Sequence, residues 1–132
     1  MTVSLREDSM GRVLTILTLL AGAFFTLQAA TWLFAPETAA TTLQMAFLEG
    51  AGRSSQMGDT GAFFTVMGLF ILFGVIRREP ELFLAPIVLI FAAAFYRVIS
   101  ALFYDAPFLG PIILFEVVVG VILMAYRREI AD

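Results

Sequence analysis

The chain predicts an all-α fold, an integral membrane four-helix transmembrane bundle with a short interfacial helix between helices 1 and 2. Three observations point there. Hydrophobic residues make up 61% of the 132 positions and charged residues only 14%, where a soluble domain carries about a quarter charged residues. Four apolar runs, at about 13–35, 58–76, 82–104 and 108–126, have the length of membrane spans, roughly 17–25 residues. The arginines cluster where these runs end. The whole chain, 1–132, reads as one transmembrane domain.

Span 1 is apolar for longer than the hydrophobic stretch of a signal peptide, and three further spans follow it, so it reads as a retained helix. It should stop near Pro36, whose ring cannot continue a helix but suits the first turn of a new one. Residues 37–48 carry Leu43 and Phe47 at i, i+4 spacing, with Ala39, Ala40 and Ala46 nearby, which predicts the interfacial helix. Gly50-Ala51-Gly52-Arg53-Ser54-Ser55 reads as a flexible turn back to the membrane.

Span 2 carries Gly58, Gly61, Thr65 and Gly68 along one stripe. Small residues let membrane helices approach closely, so this stripe is expected to pack within the bundle. Residues 77–81 make a tight link to span 3, with Pro86 in its first turns. Tyr104-Asp105-Ala106-Pro107 is a short turn that makes spans 3 and 4 antiparallel neighbours. Arg-Arg-Glu ends both span 2 and span 4, an echo better explained by interface chemistry than by duplication.

Four crossings place Arg6, Arg12, Arg77, Arg78, Arg127 and Arg128 on one side and leave Arg53 on the other with Glu37, Glu49, Asp59 and Asp105. By the positive-inside rule both termini are expected in the cytoplasm, in an inner (plasma) membrane. Trp32 and Tyr104 are expected as outer aromatic anchors and Tyr126 as an inner one. A cluster of buried helices from a soluble protein does not fit, because no run has a polar face wide enough to meet water.

Arg97 and Glu116 lie deep in spans 3 and 4. A charge at membrane depth costs about 3 kcal/mol on a forgiving insertion scale, so each needs a partner or a purpose. Both fall roughly 12–16 Å along their helices from the joining turn. They are therefore expected to pair, with a two-pronged guanidinium–carboxylate contact meeting much of their hydrogen-bonding demand. Gln28, Asp59, Tyr96 and Ser100 fall in the same half of the membrane, and with the charged pair they form the candidate polar cluster. Each also has a local explanation. Gln28 can bond a neighbouring helix, Asp59 can cap span 2, and Thr31 and Thr65 can bond their own backbone.

The sequence has no Cys and no His. Disulfides, thiol chemistry and the usual zinc, copper or haem ligands are excluded, and no acidic cluster suggests a metal site. A net charge of −3 without a basic run argues against nucleic acid. No nucleophile–base set, phosphate loop or nucleotide fingerprint is present, so no catalytic residue and no cofactor is expected.

The order Phe34-Ala35-Pro36, Gly58-Asp59-Thr60-Gly61, Arg97-Val98-Ile99-Ser100, then Glu116, runs through nearly the whole chain. It resembles the bacterial domain-of-unknown-function family numbered 4345, small four-helix integral membrane proteins. The resemblance implies a compact bundle in a bacterial inner membrane and brings no activity with it. The favoured function is non-enzymatic: a scaffold, an accessory subunit or a binder of a lipophilic ligand. Its expected partners are the lipid bilayer, a membrane protein or a lipid-like molecule, with oligomeric state left open. The alternative is a small proton-coupled transporter using Glu116, against which a paired carboxylate resists easy proton exchange. A membrane enzyme acting on a lipophilic substrate ranks third.

Overall fold

A computed structural model describes residues 2–132, with side chains from residue 8 onward. The side chain of Arg6, counted in the arginine bias, lies outside the described residues. The elements are α1 (Thr2–Phe34), α2 (Pro36–Thr42), α3 (Gly50–Arg77), a 3-10 turn (Pro80–Phe83), α4 (Leu84–Phe103) and α5 (Gly110–Ala131). The long helices α1, α3, α4 and α5 carry the four apolar spans and form an all-α four-helix bundle, with α2 as the short helix between the first two. α1 packs most extensively on α3, α3 on α4, α4 on α5 and α5 back on α1, closing a ring of antiparallel neighbours.

The bundle's exterior is as apolar as its interior. Leu27, Val88, Leu114 and Val121 are more than half exposed, while Phe25, Met67, Ile71, Ile90 and Leu123 are buried along the seam. Apolar surface on this scale suits hydrocarbon rather than water, and all four helices are long and apolar enough to cross a membrane.

The closest helix approach is at Gly68. A Cβ placed there would lie 2.8 Å from the Thr26 Cα on α1, and one on Gly22 would lie 2.7 Å from Leu72 Cδ2. The rest of the span 2 stripe does not take part. Gly58 and Gly61 face open space and Thr65 is exposed. Toward the α2 end α1 and α3 diverge, leaving a groove that holds Trp32, Met57 and Gly61. The hydroxyls of Thr31 and Thr65 bond Leu27 O and Gly61 O within their own helices.

Several boundaries differ from the sequence expectation. Residues 50–55 form the first turns of α3 and are not a flexible turn. Gly50, at φ 59°, makes the turn into the helix, and the i→i−4 ladder then runs through Gly52. The interfacial helix ends at Thr42 rather than running to 48, because Gln44 takes a left-handed conformation (φ 58°) and Met45 N–H turns back to Ala40 O at 2.9 Å. Ala39 and Ala40 are fully buried, so α2 packs down onto the bundle. α1 begins before residue 13, and α5 starts at Gly110 and continues to Ala131.

The stretch 43–49 is fastened by Gln56, whose importance the sequence did not signal. Its Nε2 donates to Ala46 O at 2.9 Å and its Oε1 accepts from Leu48 N–H at 3.0 Å. Removing both bonds exposes unpaired backbone groups. Gln56→Ala is expected to destabilise by about 1–3 kcal/mol, and hydrogen exchange should rise over 43–49 while the α4–α5 hairpin stays protected. Unchanged exchange over 43–49 would count against the clasp.

Two expected anchors are core residues instead. Trp32 is 1% exposed and Tyr126 is 3% exposed. Tyr126 meets Phe83 edge to face at 5.3 Å, and Phe83 itself rests on Gly74, where a Cβ would come within 2.7 Å of its ring. Tyr104, by contrast, is 77% exposed. At the same end as Tyr126, Arg127 donates from Nε to Pro80 O at 3.2 Å and pairs with Glu81 at 3.5 Å, tying α5 to the 3-10 turn.

A cavity beside a buried ion pair

Arg97 leaves the last turns of α4 and Glu116 the first turns of α5, across the hairpin that Asp105 closes in a left-handed conformation (φ 56°) with Ala106 N–H bonded to Ser100 O. The two side chains meet as expected. Arg97 Nε donates to Glu116 Oε1 at 2.9 Å. The bond engages Nε and leaves the terminal Nη groups outside it, in place of a two-pronged contact. Glu116 is nearly enclosed, its side chain 5% exposed against 30% for Arg97.

The pair forms the polar wall of a cavity of about 240 Å³. The remaining walls are mostly apolar and come from every long helix. α1 contributes Phe24 and Phe25, α3 Phe63 and Phe64, α4 Ile90, and α5 Ile112 and Phe115, while Leu43 closes the α2 end. The rings brace one another. Phe24 and Phe115 meet edge to face at 5.4 Å, and Phe25 stacks on Phe64 at 6.0 Å. A second, more open cavity of about 360 Å³ adjoins it and shares Leu43, Phe63, Phe64, Arg97 and Glu116. The ion pair therefore sits between an inner aromatic chamber and an outer vestibule.

Gln28 lines the inner chamber with part of its side chain, while its Oε1 is buried away from that space without a hydrogen-bond partner. Asp59 lines the vestibule beside Thr60 and Met45. These two join Arg97 and Glu116. The other two members of the expected cluster do not. Tyr96 is 70% exposed on the outer face of α4, against Phe95 at 5.6 Å. One helical residue is about 100° of rotation, so the neighbour of an inward Arg97 points away. Ser100 donates its hydroxyl to Arg97 O at 2.8 Å, which turns it back onto its own helix.

The aromatic wall is what sequence reasoning missed. A signal for it exists in the spacing: Phe24 lies four residues before Gln28 and Ile112 four before Glu116, each one turn along the same face. The lining offers an apolar volume with convergent polar groups at one end, a usual form of small-molecule site. Among the described residues no group of three His, Cys, Asp or Glu gathers that could hold a metal ion.

Comparison with protein-family models, with curated proteins and with solved structures finds no match to this chain.

Proposed function

We propose that this chain is a non-enzymatic, multi-pass membrane protein that binds a lipophilic ligand in the aromatic chamber beside Arg97 and Glu116. The observation that carries this is the position of the ion pair. Two opposite charges needed only to fix helix register would be packed on every side, yet these border a cavity of about 240 Å³ lined by Phe rings. The arginine bias supports both termini lying on the cytoplasmic side of an inner (plasma) membrane. On that orientation the vestibule lies toward the outer face. The motif order supports kinship with the bacterial family numbered 4345.

A binder fits better than an alternating-access carrier. Between the ion pair and the terminal end of the bundle lie Met67, Ile71, Phe83, Leu123 and Tyr126, none more than 3% exposed. They fill the route that Glu116 would need toward the cytoplasmic side.

The test is retention of the ligand. Native mass spectrometry of protein released gently from its membrane should show a bound lipophilic molecule. In Ile112→Trp, where an indole occupies the chamber, the bound fraction should fall about tenfold, as expected for loss of roughly 1.4 kcal/mol or more of binding. Equal occupancy in the two proteins, or no adduct in either, would overturn the proposal.

A further inference from the structure

Resting on the ligand-binding reading above, we infer that the ligand enters the chamber sideways from the hydrocarbon of the bilayer, between α1 and α5, past the rings of Phe24 and Phe115. Its class follows from its route: an apolar molecule dissolved in the membrane rather than in water. Toward the bilayer the chamber wall is one side chain thick. Phe24 and Phe115 line the chamber and are still 41% and 43% exposed, and Pro111, one turn before Phe115, is exposed as well. The chamber residues of α3 and α4 are more enclosed, with Phe64 at 6% and Ile90 at 1%. The α1–α5 seam is therefore the side on which chamber and membrane lie nearest.

The face around that seam is apolar. Leu20 and Leu27 lie one turn either side of Phe24, and Val118 one turn beyond Phe115, all of them exposed. A solute in the hydrocarbon meets the rings from that face. The rings are also what can move. Phe24 meets Phe115 edge to face at 5.4 Å, and the buried Phe25 backs both, at 5.3 and 6.2 Å. An edge-to-face contact is a weak tie, and side chains with an open side change rotamer quickly. Together the two rings act as a shutter.

Entry from water has more to pass. Phe64, Arg97 and Glu116 line both vestibule and chamber and so stand between them. Parting the ion pair would strand a carboxylate that is 5% exposed, a far larger penalty than turning a ring aside. At the α2 end Thr42 is exposed, with its hydroxyl given to Thr38 O, and Leu43 closes the space.

The chain has no Cys, so a single introduced thiol reports what reaches it. Ile90→Cys places one on the inner wall and Thr60→Cys one in the vestibule. Each full-length variant is reconstituted in phosphatidylcholine vesicles and treated with two reagents of the same thiol chemistry, present on both sides of the membrane. Benzyl methanethiosulfonate is neutral and dissolves in the bilayer; sulfonatoethyl methanethiosulfonate is charged and stays in water. The benzyl group suits the chamber of about 240 Å³, since an apolar cavity of about 150 Å³ takes benzene. With modification followed by mass spectrometry, Ile90→Cys should react with the benzyl reagent and resist the charged one, while Thr60→Cys should react with both. Adding Phe24→Ala should speed the benzyl reaction of Ile90→Cys about tenfold, the factor for one lost aromatic contact at the upper end of its range. The charged reagent should stay excluded. Phe115→Leu serves as the opening variant should Phe24→Ala fail to fold. If the charged reagent modifies Ile90→Cys as fast as Thr60→Cys, or if the opening variant leaves the benzyl rate unchanged, the sideways route is overturned while the chamber remains a binding site. If the benzyl reagent modifies Thr60→Cys but never Ile90→Cys, with or without the opening substitution, the inference falls together with the ligand-binding reading beneath it.

Discussion

Glu116→Gln is expected to lower both the folded yield and the stability of the bundle, by about 3 kcal/mol. Removing one partner of a buried ion pair strands the other charge, at a typical cost of about 3–5 kcal/mol. The lower end applies because Arg97 is 30% exposed and can relax toward the vestibule. Arg97→Gln should be equally harmful, since it leaves the carboxylate of Glu116 at 5% exposure without its donor. The double variant Arg97→Glu/Glu116→Arg restores opposite charges across the hairpin and should recover part of the loss. Recovery is incomplete because the longer Arg side chain then starts from the more enclosed position. Folded yield by size-exclusion chromatography in detergent, with thermal unfolding of whatever survives, reads the cycle. Equal yields for wild type and both single variants would sink the idea that the charges depend on each other.

That the pair was legible in the sequence at all follows from energetics. A charge in an apolar span is costly wherever it points, so its presence alone singles it out. Two such charges equidistant from a turn then become neighbours by helix rise alone. The same logic made Gln28 and Asp59 visible, and both line the cavities. It failed for Tyr96 and Ser100, because a phenol or a hydroxyl at depth can satisfy itself locally or turn outward at little expense. Ser100 does the former, through Arg97 O, and Tyr96 the latter.

The spans themselves were legible from composition, whereas their facing was not. In a soluble helix, polar residues mark the outside, and the apolar stripe shows what is buried. Here Leu27 at 64% exposed and Phe25 at 1% are both strongly apolar. Lipid and core ask for the same chemistry, so no periodic signal separates them. Trp32 and Tyr126 were therefore expected at the interface by residue type, and the structure buries both. The helix ends shifted for a related reason. Gly50 does punctuate the chain, at φ 59°, but α3 begins on it and runs through Gly52, with Gln56 bonding back across the loop from within that extension. The aromatic chamber depends on residues from four helices, and its existence follows from tertiary placement that spacing within one helix only hints at.

Facing decides which glycine matters, and a pair of substitutions makes the distinction measurable. At Gly68 a new Cβ would meet backbone as well as side chain, within 2.8 Å of Thr26 Cα. Backbone atoms of a packed helix cannot swing aside, so α1 and α3 must separate. Overpacking of this kind costs about 1–3 kcal/mol, and Gly68→Ala is expected to fall in that range. Gly68→Leu should abolish the α1–α3 seam, and with it the bundle, since that is the most extensive helix pairing in the fold. Gly61, two turns earlier on nearly the same face, has nothing within 4 Å of its Cβ position. Gly61→Ala should stay within about 0.5 kcal/mol of wild type, because membrane helices persist in the unfolded reference and the gain in helix propensity largely cancels. Thermal unfolding in detergent, followed by loss of the monodisperse peak, separates the two. If Gly61→Ala proves the more damaging, the close approach of α1 and α3 lies toward the α2 end and not at Gly68.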